Sequence, residues 1–195
     1  MKTKINYSFE KVLAILFVST LFILSSCSGN NSDSTKDNKS VPSPPKVDLH
    51  TATITSDINS VKLHIEAGSD LNPKDEILGS TPLITAVVFG KTEIARALIE
   101  GGADLNMSNN EGSTPLYCAA FFGRTELASI LIEKGADKSI RNNFGSTALE
   151  TVSVPFETIK GIYDQISKDL GPLGLKLDYT KLQEARIEIA AMLGK

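Results

Sequence analysis

Soft metal ligands are scarce in this 195-residue chain: two histidines and two cysteines, and there is no tryptophan. Cys27, Cys118, His50 and His64 show no ligand spacing, so a structural zinc site is excluded unless all four converge. Positive charge is also short, with 20 Lys+Arg against 23 Asp+Glu for a formal net charge of -3. No basic footprint for nucleic acid exists at that balance. The length suits one ordinary domain with additions, not a large multidomain enzyme. Apolar runs are brief as well. The longest, Val12 to Leu24, has thirteen residues, a rod of about 20 Å against the roughly 30 Å of a bilayer's hydrocarbon core, so a permanent spanning helix is disfavoured.

That run follows Lys2, Lys4 and Lys11 and ends at small residues before Cys27, the three-part layout of a secretory signal. Leu24-Ser25-Ser26-Cys27 resembles the lipobox of bacterial lipoproteins. The resemblance implies cleavage after residue 26 and lipidation of the Cys27 thiol, with further acylation of the new amino group, and several chains anchor far more firmly than one. An ordinary signal peptide with an incidental cysteine is the alternative. Ser28 after the cysteine resembles outer-membrane sorting in enteric-type bacteria. Residues 28–48, mostly Ser, Asn, Asp, Lys and Pro, cannot bury enough surface to offset ordering entropy and read as a disordered tether with a coil dimension of about 25 Å. Removing residues 1–26 deletes three lysines and one glutamate, leaving 17 basic against 22 acidic side chains, a formal -5. With Cys27 lipidated, Cys118 has no partner for an intramolecular disulfide.

From residue 49 onward a 33-residue period governs the chain. Gly79, Gly112 and Gly145 recur at that spacing, as do Thr81, Thr114 and Thr147, and Leu83, Leu116 and Leu149. Gly102-Ala103-Asp104 matches Gly135-Ala136-Asp137 in the same way. A fixed period of this size marks a solenoid. A fainter first copy lies 34 residues upstream, and its extra residue falls between Asn72 and Gly79. Within a copy, Thr81 or Thr114 can cap a helix whose first position, Pro82 or Pro115, tolerates a fixed φ and a missing N–H. After Gly90 or Gly123 comes a second helix. Its apolar face is Ile94, Ala95, Leu98 and Ile99, or Leu127, Ala128, Leu131 and Ile132. The unit is two short antiparallel helices and a loop.

Gly-Ser-Thr-Pro-Leu-Tyr-Cys-Ala-Ala at 112–120 and Leu-Ile-Glu-Lys-Gly-Ala-Asp at 131–137 resemble the ankyrin repeat, and the pattern covers 49–195. The expected fold is all-α, an ankyrin-repeat solenoid of about four helix-pair repeats near 49–76, 77–109, 110–142 and 143–195. The fourth is interrupted. Glu126-Leu127-Ala128 finds its counterpart in Glu188-Ile189-Ala190, 29 residues late, implying an insertion at about 154–182. Within it Phe156, Ile159, Ile162, Tyr163, Ile166 and Leu170 trace one helical face, Gly171-Pro172 ends the run, and Asp178 can cap the last helix. The extra helix reads as a C-terminal cap, with a partner-specific contact as the alternative.

At the other end, Ser60 and His64 replace the apolar Ile94 and Leu98 of the next copy, which reads as the polar outer face of a capping repeat. His50 takes the repeat's usual histidine position and reads as loop-bracing. Asp104 and Asp137 belong to turn chemistry, Cys118 reads as a packed thiol, and no catalytic, phosphate-cradling or cofactor constellation is present. The ankyrin resemblance implies binding through loop tips and the concave inner-helix face. Carried over by position, that surface is Ile77, Leu78, Ser80, Val88, Phe89, Asn110, Glu111, Ser113, Phe121, Phe122, Asn143, Phe144 and Ser146. Four of the eight phenylalanines fall on it, so either a protein partner or the neighbouring repeats use them. The function expected is a non-enzymatic protein-interaction module, lipid-anchored at Cys27 in a bacterial cell envelope at the outer membrane. No nucleic acid and no small-molecule substrate are expected as partners. The alternative is a structural or protective envelope protein acting through the insertion.

Overall fold

The computed structural model describes residues 43–194; the signal segment, Cys27 and most of the tether lie outside the described residues. Among those described there are nine α-helices and no strand. They are α1 (Leu49–Ile54), α2 (Ile58–Glu66), α3 (Pro82–Val88), α4 (Thr92–Glu100), α5 (Pro115–Phe121), α6 (Thr125–Glu133), α7 (Ala148–Ser153), α8 (Phe156–Leu170) and α9 (Tyr179–Leu193). No described helix is long and apolar enough to cross a membrane.

The inner helices α1, α3, α5 and α7 stack in one row and the outer helices α2, α4, α6 and α9 in a second, each inner helix packing on the outer helix of its own repeat. Each inner helix starts as its sequence dictates. Thr81 and Thr114 accept from the backbone N–H of Ile84 (3.3 Å) and Tyr117 (3.2 Å), and proline follows at the first turn. Thr147 closes a reciprocal box with Glu150. Seven residues are too few for a helix to persist alone, so α3 and α5 depend on burial. Pro82, Leu83, Ile84, Ala86 and Val87 are buried in α3, and Pro115, Leu116, Cys118, Ala119 and Ala120 in α5. One continuous core runs through the array from Leu49 to Leu193. In α6 the structure buries Ile130 and leaves Ile132 half-buried, because α9 packs on α6 as α6 packs on α4.

The first repeat departs from the polar-face expectation. His64 is only 8% exposed. Its Nε2 donates to the Val47 carbonyl at 2.8 Å, and Ser69 Oγ lies 3.1 Å from Nδ1. A carbonyl can only accept, which places a proton on Nε2. The chain before α1 therefore folds over the end of the stack and His64 ties it down. Asp48, at the end of the expected tether, caps α1 through Thr51 N–H at 2.9 Å. His50 donates from Nε2 to the Pro73 carbonyl at 3.0 Å, the loop brace expected of it.

Candidate interaction surface

The loops between repeats form three projecting fingers, each closed by one side chain. Asp75 accepts at Oδ1 from Ile77 and Leu78 N–H and at Oδ2 from Ser80 N–H. Asn109 Oδ1 takes Glu111 and Ser113 N–H, and Asn142 Oδ1 takes Phe144 and Ser146 N–H. The backbone closes each finger again, with Asp75, Asn109 and Asn142 N–H donating to the carbonyls of Ser80, Ser113 and Ser146. Such side-chain turns hold a tip without regular structure beneath it. Asp75 to Gly79 is one residue longer than Asn109 to Gly112, which localises the 34-residue spacing of the first copy.

The fingers are also joined to one another. Asn110 N–H donates to the Leu78 carbonyl and Asn143 N–H to the Glu111 carbonyl, both at 2.9 Å. Their amide nitrogens add bonds to the Ile77 (3.3 Å) and Asn110 (2.9 Å) carbonyls. On the opposite loops, Asn72 Oδ1 accepts from Asp104 N–H and Asn106 Oδ1 from Asp137 N–H, each at 2.8 Å. Asp104 and Asp137 brace their own turns through Asn106 and Ser139 N–H, as their place in the repeat implied.

This geometry sorts the sequence-derived surface. Ile77 (62% exposed), Leu78 (42%) and Phe144 (56%) stand out from the tips. Asn110, Glu111 and Asn143 are exposed beside them, with both asparagines engaged in the ladder. Ser80 and Ser113 are buried, since each closes its finger from inside, so neither can meet a partner directly. Val88, Phe89 and Ser146 are half-buried, with Val88 packed on the core.

Phe121 and Phe122 are the larger departure from a free aromatic stripe. Their rings meet edge to face at 5.0 Å, Phe122 packs on the core, and Tyr163 of α8 lies over Phe121 at 4.7 Å. Tyr163 is fully buried and donates its hydroxyl to the Phe121 carbonyl at 2.7 Å. Burial pushes this phenol up to about 12 despite the opposing charge of Arg186. Phe156 and Tyr179 complete the cluster at 5.7 Å and 6.4 Å from Tyr163. The inserted helix thus occupies the inner-row face at the third repeat.

Arg186 on α9, which the pattern did not single out, is buried and meets no carboxylate among the described residues. It donates to Tyr163 Oη at 3.1 Å and to the Thr151, Val152 and Val154 carbonyls at 2.9, 3.2 and 2.5 Å. Those carbonyls end α7, where a helix leaves acceptors unsatisfied and favours a cation. Cys118 is a free, buried thiol pushed up to about 12, first by burial and then by the charge of Glu111, so it stays protonated at neutral pH. Among the described residues no group of His, Cys, Asp and Glu could hold a metal ion.

An all-helical stack of capped helix pairs with laddered fingers is the ankyrin-repeat solenoid. Residues 49–142 match the family model for ankyrin repeats in three copies. The chain is 41% identical over 64 residues to protein phosphatase 1 regulatory subunit 27 of Homo sapiens, covering 33% of this chain and 41% of that one. It is 38% identical over 64 residues to protein PhlB of Serratia liquefaciens, 33% of this chain and 28% of that one. The chain thus spans well under half the length of these relatives. Among solved structures it resembles the ankyrin repeat domain of Bcl-3, a member of the IkappaB protein family, with a TM-score of 0.52 and 33% identity over 53% of this chain and 45% of that one.

Proposed function

We propose that the protein is a non-enzymatic, protein-binding ankyrin module held at a membrane of the bacterial cell envelope, the outer membrane, by lipid on Cys27. One observation carries the binding assignment: Ile77, Leu78 and Phe144 project large apolar surface from tips that a hydrogen-bonded ladder holds in place. Rigid anchors bind without the cost of ordering a loop. Glu111 between them supplies a polar contact, and Val88 and Phe89 extend the surface along α3. A relative named as a regulatory subunit of a phosphatase supports a role exercised on another protein.

Photocrosslinking in intact cells tests the surface. A photoreactive residue at Leu78 or Phe144 is expected to give one adduct of the same size, whereas one at Leu63 on α2 gives none; adducts from Leu63 alone would overturn it. Radiolabelled fatty acid incorporation tests the anchor, with loss expected in Cys27→Ala and unchanged labelling contradicting it. The second reading, a structural protein acting through its C-terminal insertion, draws on α8 covering Phe121. It requires deletion of 155–176 to abolish function while tip substitutions leave it intact.

A further inference from the structure

We infer that α8 is a displaceable latch: an intramolecular occupant of the inner-row face at Phe121, which a partner offering an apolar helix with a tyrosine of its own replaces. This deepens the binding role proposed above and rests on the inner-helix face being part of the partner surface.

The attachment of α8 is lopsided. Fifteen residues long, it buries only Tyr163, whereas seven-residue α5 buries five. Phe156, Ile159, Ile162, Ile166 and Leu170 are half-buried. Its one fully buried contact is the Tyr163 ring wedged on Phe121, with its hydroxyl held between the Phe121 carbonyl and Arg186; the rest is half-buried, the Phe156 ring and Asp164 meeting Tyr179, whose hydroxyl donates to Asp164 at 2.7 Å. The α-helix stops sharply at both ends of α8. Val154 and Pro155 are extended, and after Leu170 a short 3₁₀ turn, Gly171–Leu173, leads to Gly174 in the left-handed region (φ 99°).

The repeats do not need α8 to close. α9 supplies the fourth outer helix through Leu182, Ala185, Ile189 and Leu193, all buried, and Arg186 keeps its three α7 carbonyls if Tyr163 leaves. Departure of α8 uncovers Phe121 while Phe122 and Tyr117 still flank it, at 5.0 and 6.3 Å. Segments with few buried contacts open below the global unfolding free energy, and a site open only part of the time binds more weakly by the open fraction.

Native-state hydrogen exchange on the full chain tests the latch. The α8 amides are expected to exchange about 100-fold or more faster than those of α5. Exchange of both only with global unfolding would overturn the proposal. A synthetic peptide of residues 155–171 is the binding probe. It should bind the Tyr163→Ala protein about tenfold or more tighter than wild type, because the seat is vacated; equal binding would contradict the latch. Tyr163→Phe keeps the ring and loses both hydrogen bonds, so it serves where Tyr163→Ala fails to fold, with faster α8 exchange expected and unchanged exchange counting against the proposal. Early α8 exchange with no tip crosslinks would remove the binding site proposed above and leave the latch standing, and the converse result would do the reverse.

Discussion

At the residue scale the repeat is maintained by side chains that serve the backbone. Gly112 shows the constraint most sharply: φ is 75°, and a Cβ there would lie 2.7 Å from Asn143 Oδ1 and 2.8 Å from Asn143 N. Gly135 has a similar φ of 87° with nothing within 4 Å. Gly135→Ala is therefore expected to cost only the strain of the left-handed region, about 1 kcal/mol, while Gly112→Ala adds a clash with the next finger and costs about 3 kcal/mol. Denaturant unfolding of the two variants checks this, and equal losses would refute the ladder's part in it. Position also sets the acid response. Hydrogen bonds from the Thr51 side chain and backbone hold Asp48 below its ordinary 3.8, and those from Ser60 hold Asp57 below it. A carboxylate depressed by folding contributes stability above its unfolded value and loses it as pH falls through the folded one. Melting temperature should thus drop below about pH 4. Asp48→Asn with Asp57→Asn keeps competent caps and should shrink that drop; an unchanged pH profile would contradict the assignment.

At the scale of elements, the helix pairs were legible because their signals recur. Threonine and an apolar face mark each start, with proline after the first two threonines, and the structure begins helices at Pro82, Pro115 and Ala148. Thr114→Ala is expected to cost about 1 kcal/mol in thermal or denaturant unfolding, the usual worth of such a cap. Where the sequence misled, a contact between distant segments decided the matter. His64 reads as a wet end cap, yet Val47 reaches back over it. Phe121 reads as taken either by a partner or by the neighbouring repeats, yet a tyrosine 42 residues later in the insertion claims it. Periodicity reports what a repeat shares with its neighbours and is silent on what a non-repeating insertion does. Arg186 illustrates the limit: an arginine on a helix is ordinarily a solvated charge, and only the early end of α7 makes three carbonyls available to it. Arg186→Leu leaves them unpaired and should cost about 2–4 kcal/mol, a loss read by denaturant unfolding. A loss below about 0.5 kcal/mol would show that those carbonyls find other partners.

For the whole molecule, stability and recognition reside in different places. The core runs along the stacked helices, so each repeat depends on its neighbours and the array should unfold together across α1 to α7. The tips add little to that core, and Ile77, Leu78 and Phe144 stay exposed on them. The sequence named these three alongside ten others. It could not separate them, because Ser80, Ser113 and the paired phenylalanines share their positions in the repeat and differ only in how the loop closes and what packs on it. The most direct measurement sets partner yield after crosslinking beside melting temperature for the triple variant Ile77→Ser, Leu78→Ser, Phe144→Ser. Yield is expected to fall about tenfold or more while the melting temperature stays within about 3 °C of wild type. Undiminished capture, or a loss that merely follows unfolding, would contradict it.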